Sequence, residues 1–403
     1  MSFRYPAGVV GATVTPSGPY QNNTAPGIWS LAGQANFKAQ GLWPTAGSLP
    51  PNLYSWGQNS YGQLGLGDTT NRSSPNQVGA LGTWLKLACG TYQSLSIKTD
   101  GTLWAWGQGA NGKLGLGNTT YYSSPKQVGA LTTWSSIAGG GEHTMAIKTD
   151  GTLWTWGGNG SGQLGLGNVT SYSSPKQVGA LTTWLKIVGG YRFTIATKTD
   201  GTLWAWGSNS TGQLGQGNTT SRSSPVQIGA LTTWSNIAAG YGYTIAIKTD
   251  GTLWTWGQNG NGQLGLGTSG ALSYTSSPQQ VGALTTWSKI DSTIDSTYAI
   301  KTDGTLWTWG MNGDGQLGLG NVTSYSSPKQ VGALTTWSIV NGGGTEFAIA
   351  IKTDGTLWSW GRNFAGQLGL GNLTYKSSPN QVGALTTWLN IACGGRNTLA
   401  TIS

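Results

Sequence analysis

His143 is the only histidine in the 403 residues. A lone imidazole is the first side chain to test for acid–base work near neutral pH. Catalysis or metal binding would need company, such as a nucleophile, an orienting carboxylate or a second ligand. No second histidine or Cys/His pair accompanies it, so His143 reads as structural. Cys89 and Cys393 fall at one repeated position, in Leu-Ala-Cys-Gly and Ile-Ala-Cys-Gly. They read as small residues in a tight strand, with a bridge between neighbouring repeats left open. Asp291, Asp295 and Asp314 lie near one another in sequence and are the remaining prospect for a cation or acid/base site. Gly-Gln-Leu-Gly-Leu-Gly suggests a phosphate loop, but its motif recurs throughout the chain and therefore reads as architecture. Asn-x-Thr occurs at Asn118, Asn168, Asn218, Asn321 and Asn372. With no secretory signal in view, these read as Asx turns, not glycan sites. The expectation is a non-enzyme with no metal and no cofactor.

These residues sit in a repeat. The Trp-Gly that closes one segment recurs at Trp56, Trp106, Trp156, Trp206, Trp256, Trp309 and Trp360, at spacings of 50, 50, 50, 50, 53 and 51. A second tryptophan series runs Trp84, Trp134, Trp184, Trp234, Trp287, Trp337 and Trp388. Each unit holds four short strand segments, in one copy 134–138, 144–148, 152–157 and 176–180. Asp-Gly between the second and third predicts a tight type I′ hairpin. Trp154 and Trp156, two apart, share a sheet face. The single proline of each unit lies just before the fourth segment, which suits an edge strand. The array begins with a third segment (53–57) and ends with a second (397–402). One composite sheet built from both chain ends satisfies all the open edges and closes a ring. The prediction is an all-β, seven-bladed β-propeller of four-stranded antiparallel blades over 53–403, preceded by a short irregular N-terminal arm, 1–52.

Leu-Trp-x-Trp-Gly-x-Asn, Gly-Gln-Leu-Gly-Leu-Gly and Ser-Pro-x-Gln-Val resemble the regulator of chromosome condensation (RCC1-type) repeat. The resemblance implies a seven-bladed propeller closed by a composite blade. Gly140-Gly-Glu-His143-Thr144 approximates that family's Gly-x-x-His-Thr, which fits His143 as a structural relic. The family's activities carry over unevenly. Its nucleotide-exchange member uses a wedge inserted in a blade, and the longest insertion here is three residues. Its ultraviolet receptor uses exposed tryptophans, which here occupy core positions. Its bacterial relatives that bind proteins with one face are the nearest parallel.

Composition narrows the partners. Only 8% of residues are charged and the net charge is +9. Six Lys and six Asp cancel inside six Lys-Thr-Asp-Gly turns. The other basic residues are scattered singly, without the stripe that tracks a phosphate backbone. No apolar run suffices to span a membrane. The expectation is therefore protein partners, no nucleic acid and no membrane insertion.

Connectivity puts the loops joining segments one to two and three to four on one face of the disc. On the opposite face the Lys-Thr-Asp-Gly-Thr turn and the Gly-Ala-Leu-Thr-Thr-Trp link barely change between copies. The loops of the first face vary and are rich in Tyr, Arg, Phe and Asn, the vocabulary of recognition surfaces. The predicted binding residues are Tyr92, His143, Tyr191, Arg192, Phe193, Tyr241, Tyr243, Phe347, Arg362, Phe364 and Arg396.

Residues 1–52 hold seven of the fourteen prolines and two charged residues, Arg4 and Lys38. A short helix is predicted over 30–40. The stretch 27–44 resembles a signature in structural proteins of tailed phages. That resemblance implies an attachment segment using Trp29, Leu31, Phe37 and Trp43, and possible homo-oligomers through the arm. It also implies a virion component, in tail or capsid, facing other virion proteins or a host surface receptor. The alternative reading is a free bacterial propeller, cytoplasmic or secreted without a recognisable signal, that binds or inhibits a partner protein.

Overall fold

The computed structural model describes residues 51–403 apart from 80, 81, 271 and 345, together with the backbone of 4–5 and 8–9. Arg4–Tyr5 pairs antiparallel with Gly8–Val9. The predicted helix over 30–40 and the attachment residues Trp29, Leu31, Phe37 and Trp43 lie outside the described residues.

From residue 51 onwards the chain builds seven four-stranded antiparallel sheets. In blade 2 the strands run Trp134–Gly139, His143–Lys148, Leu153–Gly157 and Tyr172–Gln177, innermost to outermost. Blades 1 and 3 to 6 repeat this over 84–127, 184–227, 234–280, 287–330 and 337–381. Blade 7 is composite. Trp388–Cys393 and Asn397–Ile402 are followed in the sheet by Asn52–Gly57 and Arg72–Gln77. Its seam pairs Leu53 with Thr401 and Trp56 with Thr398.

Two tryptophans and a loop couple each blade to the one before it. Trp206 is fully buried and meets Trp184 edge-on at 5.8 Å. Its Nε1 donates to the Gln163 carbonyl of blade 2 at 2.9 Å. Gly165 lies directly beneath that nitrogen, and a Cβ there would stand 2.7 Å from it. The Gly-Gln-Leu-Gly loop is thus a cradle for the next blade's tryptophan. The same bond recurs at all seven junctions, and Trp56 to the Gln367 carbonyl at 3.0 Å closes the ring. Burying a tryptophan removes roughly 150–250 Å² from water, which stabilises by about 4–6 kcal/mol per blade.

The hairpin between second and third strands differs from the predicted type I′ turn. Only Gly101 has positive φ (+78°), and Asp100 does not. Gly101 N donates to the Lys98 carbonyl and Lys98 N to the Thr102 carbonyl. This is a type I turn followed by a left-handed glycine. Asp100 selects it by accepting from both Thr102 N (2.9 Å) and Thr102 Oγ1 (2.6 Å). Lys98 then folds over the Trp104 ring, 4.0 Å from its centroid. Proline sits within the outer strand, as Pro75 does in Arg72–Gln77, on an edge that needs no N–H.

Candidate functional site

The inner strands of all seven blades wall a central cavity of about 580 Å³. At the fifth residue of each inner strand stand Ala88, Ala138, Val188, Ala238, Asp291, Asn341 and Ala392. Blades 5 and 6 break the apolar series together. Asn341 Nδ2 donates to Asp291 Oδ2 at 2.6 Å, and the backbone N–H groups of Gly342 and Ser292 add bonds at 3.2 and 2.8 Å. Burial outweighs these bonds and pushes the Asp291 carboxyl up to about 7. Asp295 also has its carboxyl raised by burial, and it accepts from Gln263 Nε2 at 2.9 Å. Among the described residues no group of three His, Cys, Asp or Glu side chains is arranged to hold a metal ion.

The two thiols are unbridged. Each leans toward the preceding blade, Cys89 to the Ala392 carbonyl (3.7 Å) and Cys393 to the Asn341 carbonyl (3.8 Å). Cys393 therefore turns away from Cys89. Burial pushes the Cys89 thiol up to about 12, so it is a poor nucleophile. The Asn-x-Thr sites form the expected Asx turns, Asn168 Oδ1 accepting from Thr170 N at 3.0 Å, with equivalents at the other four.

Four of the predicted binding residues require correction. His143, Phe193, Tyr243 and Phe347 are fully buried. They share one repeat position with Gln93, Ser296 and Asn397, the first residue of the second strand. That residue turns inward beneath a glycine, and a Cβ on Gly190 would stand 1.9 Å from the Phe193 ring. It then bonds or packs towards the next blade. Tyr243 Oη donates to the Ser296 carbonyl (2.7 Å), and His143 Nε2 lies 2.9 Å from Thr194 Oγ1. Thr194 Oγ1 donates to the Gln163 carbonyl, so His143 Nε2 carries the proton towards Thr194. Burial drives the imidazole down to about 3, leaving it neutral. Variation at this position is variation in blade-to-blade packing.

The remaining predicted residues stay at the surface, and the two kinds of variable loop meet there. Tyr191 and Tyr241 stack at 4.4 Å between blades 3 and 4. Arg192 lies over Tyr191 and pairs with Glu142 of blade 2 at 3.1 Å. Tyr92 meets Tyr61 edge-on at 5.0 Å, and Tyr61 meets Tyr121 at 5.6 Å. Arg362 stands 3.5 Å from Asp314 and 3.7 Å from Glu346. Burial and the nearby Asp314 push the Glu346 carboxyl up to about 7. Phe364 lies beneath both Arg362 and Arg396.

Lys113 escaped notice in the sequence. It replaces the glutamine that the other six copies carry in Gly-Gln-Leu, and it is 3% exposed. Its Nζ donates to Gln108 Oε1 at 2.5 Å, and burial brings the amine down to about 8 against the pull of Glu142. Comparing the copies position by position would have exposed it, and likewise Asn341 beside Asp291.

The RCC1-like domain family matches residues 174–403, and regulator of chromosome condensation (RCC1) repeats match 52–97, 100–147 and 150–197. The chain belongs to the RCC1-like domain family. Among curated proteins it is 35% identical over 106 residues to the human probable E3 ubiquitin-protein ligase HERC3, which is 25% of this chain and 10% of that protein. It is 33% identical over 107 residues to the ultraviolet-B receptor UVR8 of Arabidopsis thaliana, 26% of this chain and 24% of the receptor. The matches thus span a small part of either relative's length. Among solved structures, Prp20p from Saccharomyces cerevisiae superposes with a TM-score of 0.80 at 19% identity, covering 92% of this chain and 94% of Prp20p. Human WBSCR16 gives 0.78 at 20% identity, with 88% and 99% covered. At such identity these two likenesses speak to the fold alone. Among the described residues no helix is long and apolar enough to cross a membrane.

Proposed function

We propose that this RCC1-like propeller is a non-catalytic binding protein. It grips a partner protein with the face formed by its first-to-second and third-to-fourth strand loops. One observation carries the reading: exposed side chains that differ between copies gather on that face, whereas the opposite face repeats almost unchanged. Prp20p, whose structure was described together with its binding to Gsp1p and histones, makes protein binding a natural use of this scaffold. The surface is suited to it. Tyr191, Tyr241, Tyr61, Tyr92 and Phe364 are aromatic anchors already immobilised by one another or by arginines, which lowers the entropy lost on binding. A virion role rests on the motif at 27–44 alone. The family match and the named relatives favour the free propeller that binds or inhibits a partner.

The test is capture of a partner by the full chain, read by mass spectrometry. Tyr191→Ala, Arg192→Ala and Tyr241→Ala combined should abolish capture at unchanged melting temperature. Leu181→Ser with Leu231→Ser, on the opposite face, should leave capture intact. The reverse pattern would refute the assignment.

A further inference from the structure

The loop-face arginines differ in how they are occupied. Arg72 pairs with Asp68 at 2.6 Å, Arg192 with Glu142 at 3.1 Å, and Arg362 with Asp314 and Glu346. Arg222 Nε donates to Gln216 Oε1 at 3.2 Å. Arg396 has no carboxylate partner among the described residues, and its Nε, like that of Arg362, is buried without a hydrogen-bond acceptor. Yet it is held in place. Its guanidinium stands 4.8 Å from the Phe364 ring centroid, and Arg362 stands 4.9 Å from the same ring. Its backbone carbonyl accepts from Gln58 N at 2.8 Å across the seam of the composite blade. The preceding Gly394 and Gly395 line the central cavity.

A buried donor with no acceptor costs about 1–3 kcal/mol, and a guanidinium fork matches a carboxylate with two parallel N–H···O bonds. We propose that Arg396, braced by Phe364, anchors an acidic side chain of the protein partner. The proposal rests on the reading of this face as the binding surface and adds the partner's chemistry to it. The observations favour a carboxylate over a nucleic-acid backbone. A backbone is tracked by several free cations in a row, whereas the neighbour of Arg396, Arg362, is already paired with Asp314 and Glu346.

The probe is a fluorescent octamer of glutamate, followed by anisotropy at moderate salt, with a single-stranded dT octamer as the phosphate arm. Saturable binding of the glutamate octamer should weaken at least tenfold in Arg396→Gln and recover partly in Arg396→Lys, which restores charge without the fork. Arg222→Gln, which removes the same charge elsewhere, should cost less than twofold. Equal losses in Arg396→Gln and Arg222→Gln, no saturable binding, or tighter binding of the dT octamer would each overturn the proposal. If Arg396→Gln leaves partner capture intact while the Tyr191/Arg192/Tyr241 variant abolishes it, the anchor fails and the face stands.

Discussion

Asp291→Asn isolates the one carboxyl among the described residues of the cavity wall. Its folded value of about 7 stands above the 3.8 of the unfolded chain. A carboxyl with that ordering holds its proton more tightly when folded. Its stabilising contribution is therefore fully present below about pH 4 and lost as the pH rises to about 7. Three units correspond to about 4 kcal/mol at most. An asparagine is neutral throughout, so the variant escapes this loss. It pays instead about 1 kcal/mol for one mismatched hydrogen bond among the donors Ser292 N, Gly342 N and Asn341 Nδ2. For a propeller of about 350 residues, unfolding entropy near 0.7 kcal/mol/K converts 3–4 kcal/mol into roughly 4–5 °C. Melting followed by tryptophan fluorescence should give the variant a Tm at pH 8 higher by about that amount. At pH 4 it should be equal or slightly lower. Glu346 also titrates near 7 but is common to both proteins and cancels in the difference. Parallel Tm–pH curves for variant and wild type would refute the reasoning.

Two further outcomes follow from the packing. The His143 imidazole, folded value about 3 against 6.5 unfolded, resists charging, so stability is lost as pH falls from about 6.5 to 3. The loss approaches roughly 5 kcal/mol, and His143→Gln, the residue Gln93 supplies at the same repeat position, should flatten that acid limb in urea titrations. Gly165→Ala drives a Cβ to 2.7 Å from Trp206 Nε1 at φ +72° and should cost at least 3 kcal/mol. Gly129→Ala, at φ +64° with open space around it, should cost about 1 kcal/mol; equal costs would refute the cradle.

The ring was legible because its signals are covalent and periodic. The tryptophan spacing placed the blades, and the phase at the chain ends placed the seam between Asn52–Gly57 and Asn397–Ile402. The candidate site was legible only in part. Loop connectivity put Tyr191, Tyr241 and Arg362 in exposed loops, and all three lie outside the strands with solvent-accessible side chains. It could not reveal that the residue entering the second strand turns inward, because Phe193 and Tyr243 are as variable as true surface residues. The glycine three positions earlier, Gly190 or Gly240, was the missed clue. The turn type was missed because Asp100 spends its side chain on Thr102 instead of adopting positive φ. Pairings such as Arg192 with Glu142, fifty residues apart, become visible only once the blades are side by side.

Amide hydrogen exchange on the captured complex probes the binding face most directly. Slowed exchange should cover 141–143, 191–193, 241–243 and 395–397 and spare the six Lys-Thr-Asp-Gly turns. Protection of those turns with the loops unchanged would contradict the assignment.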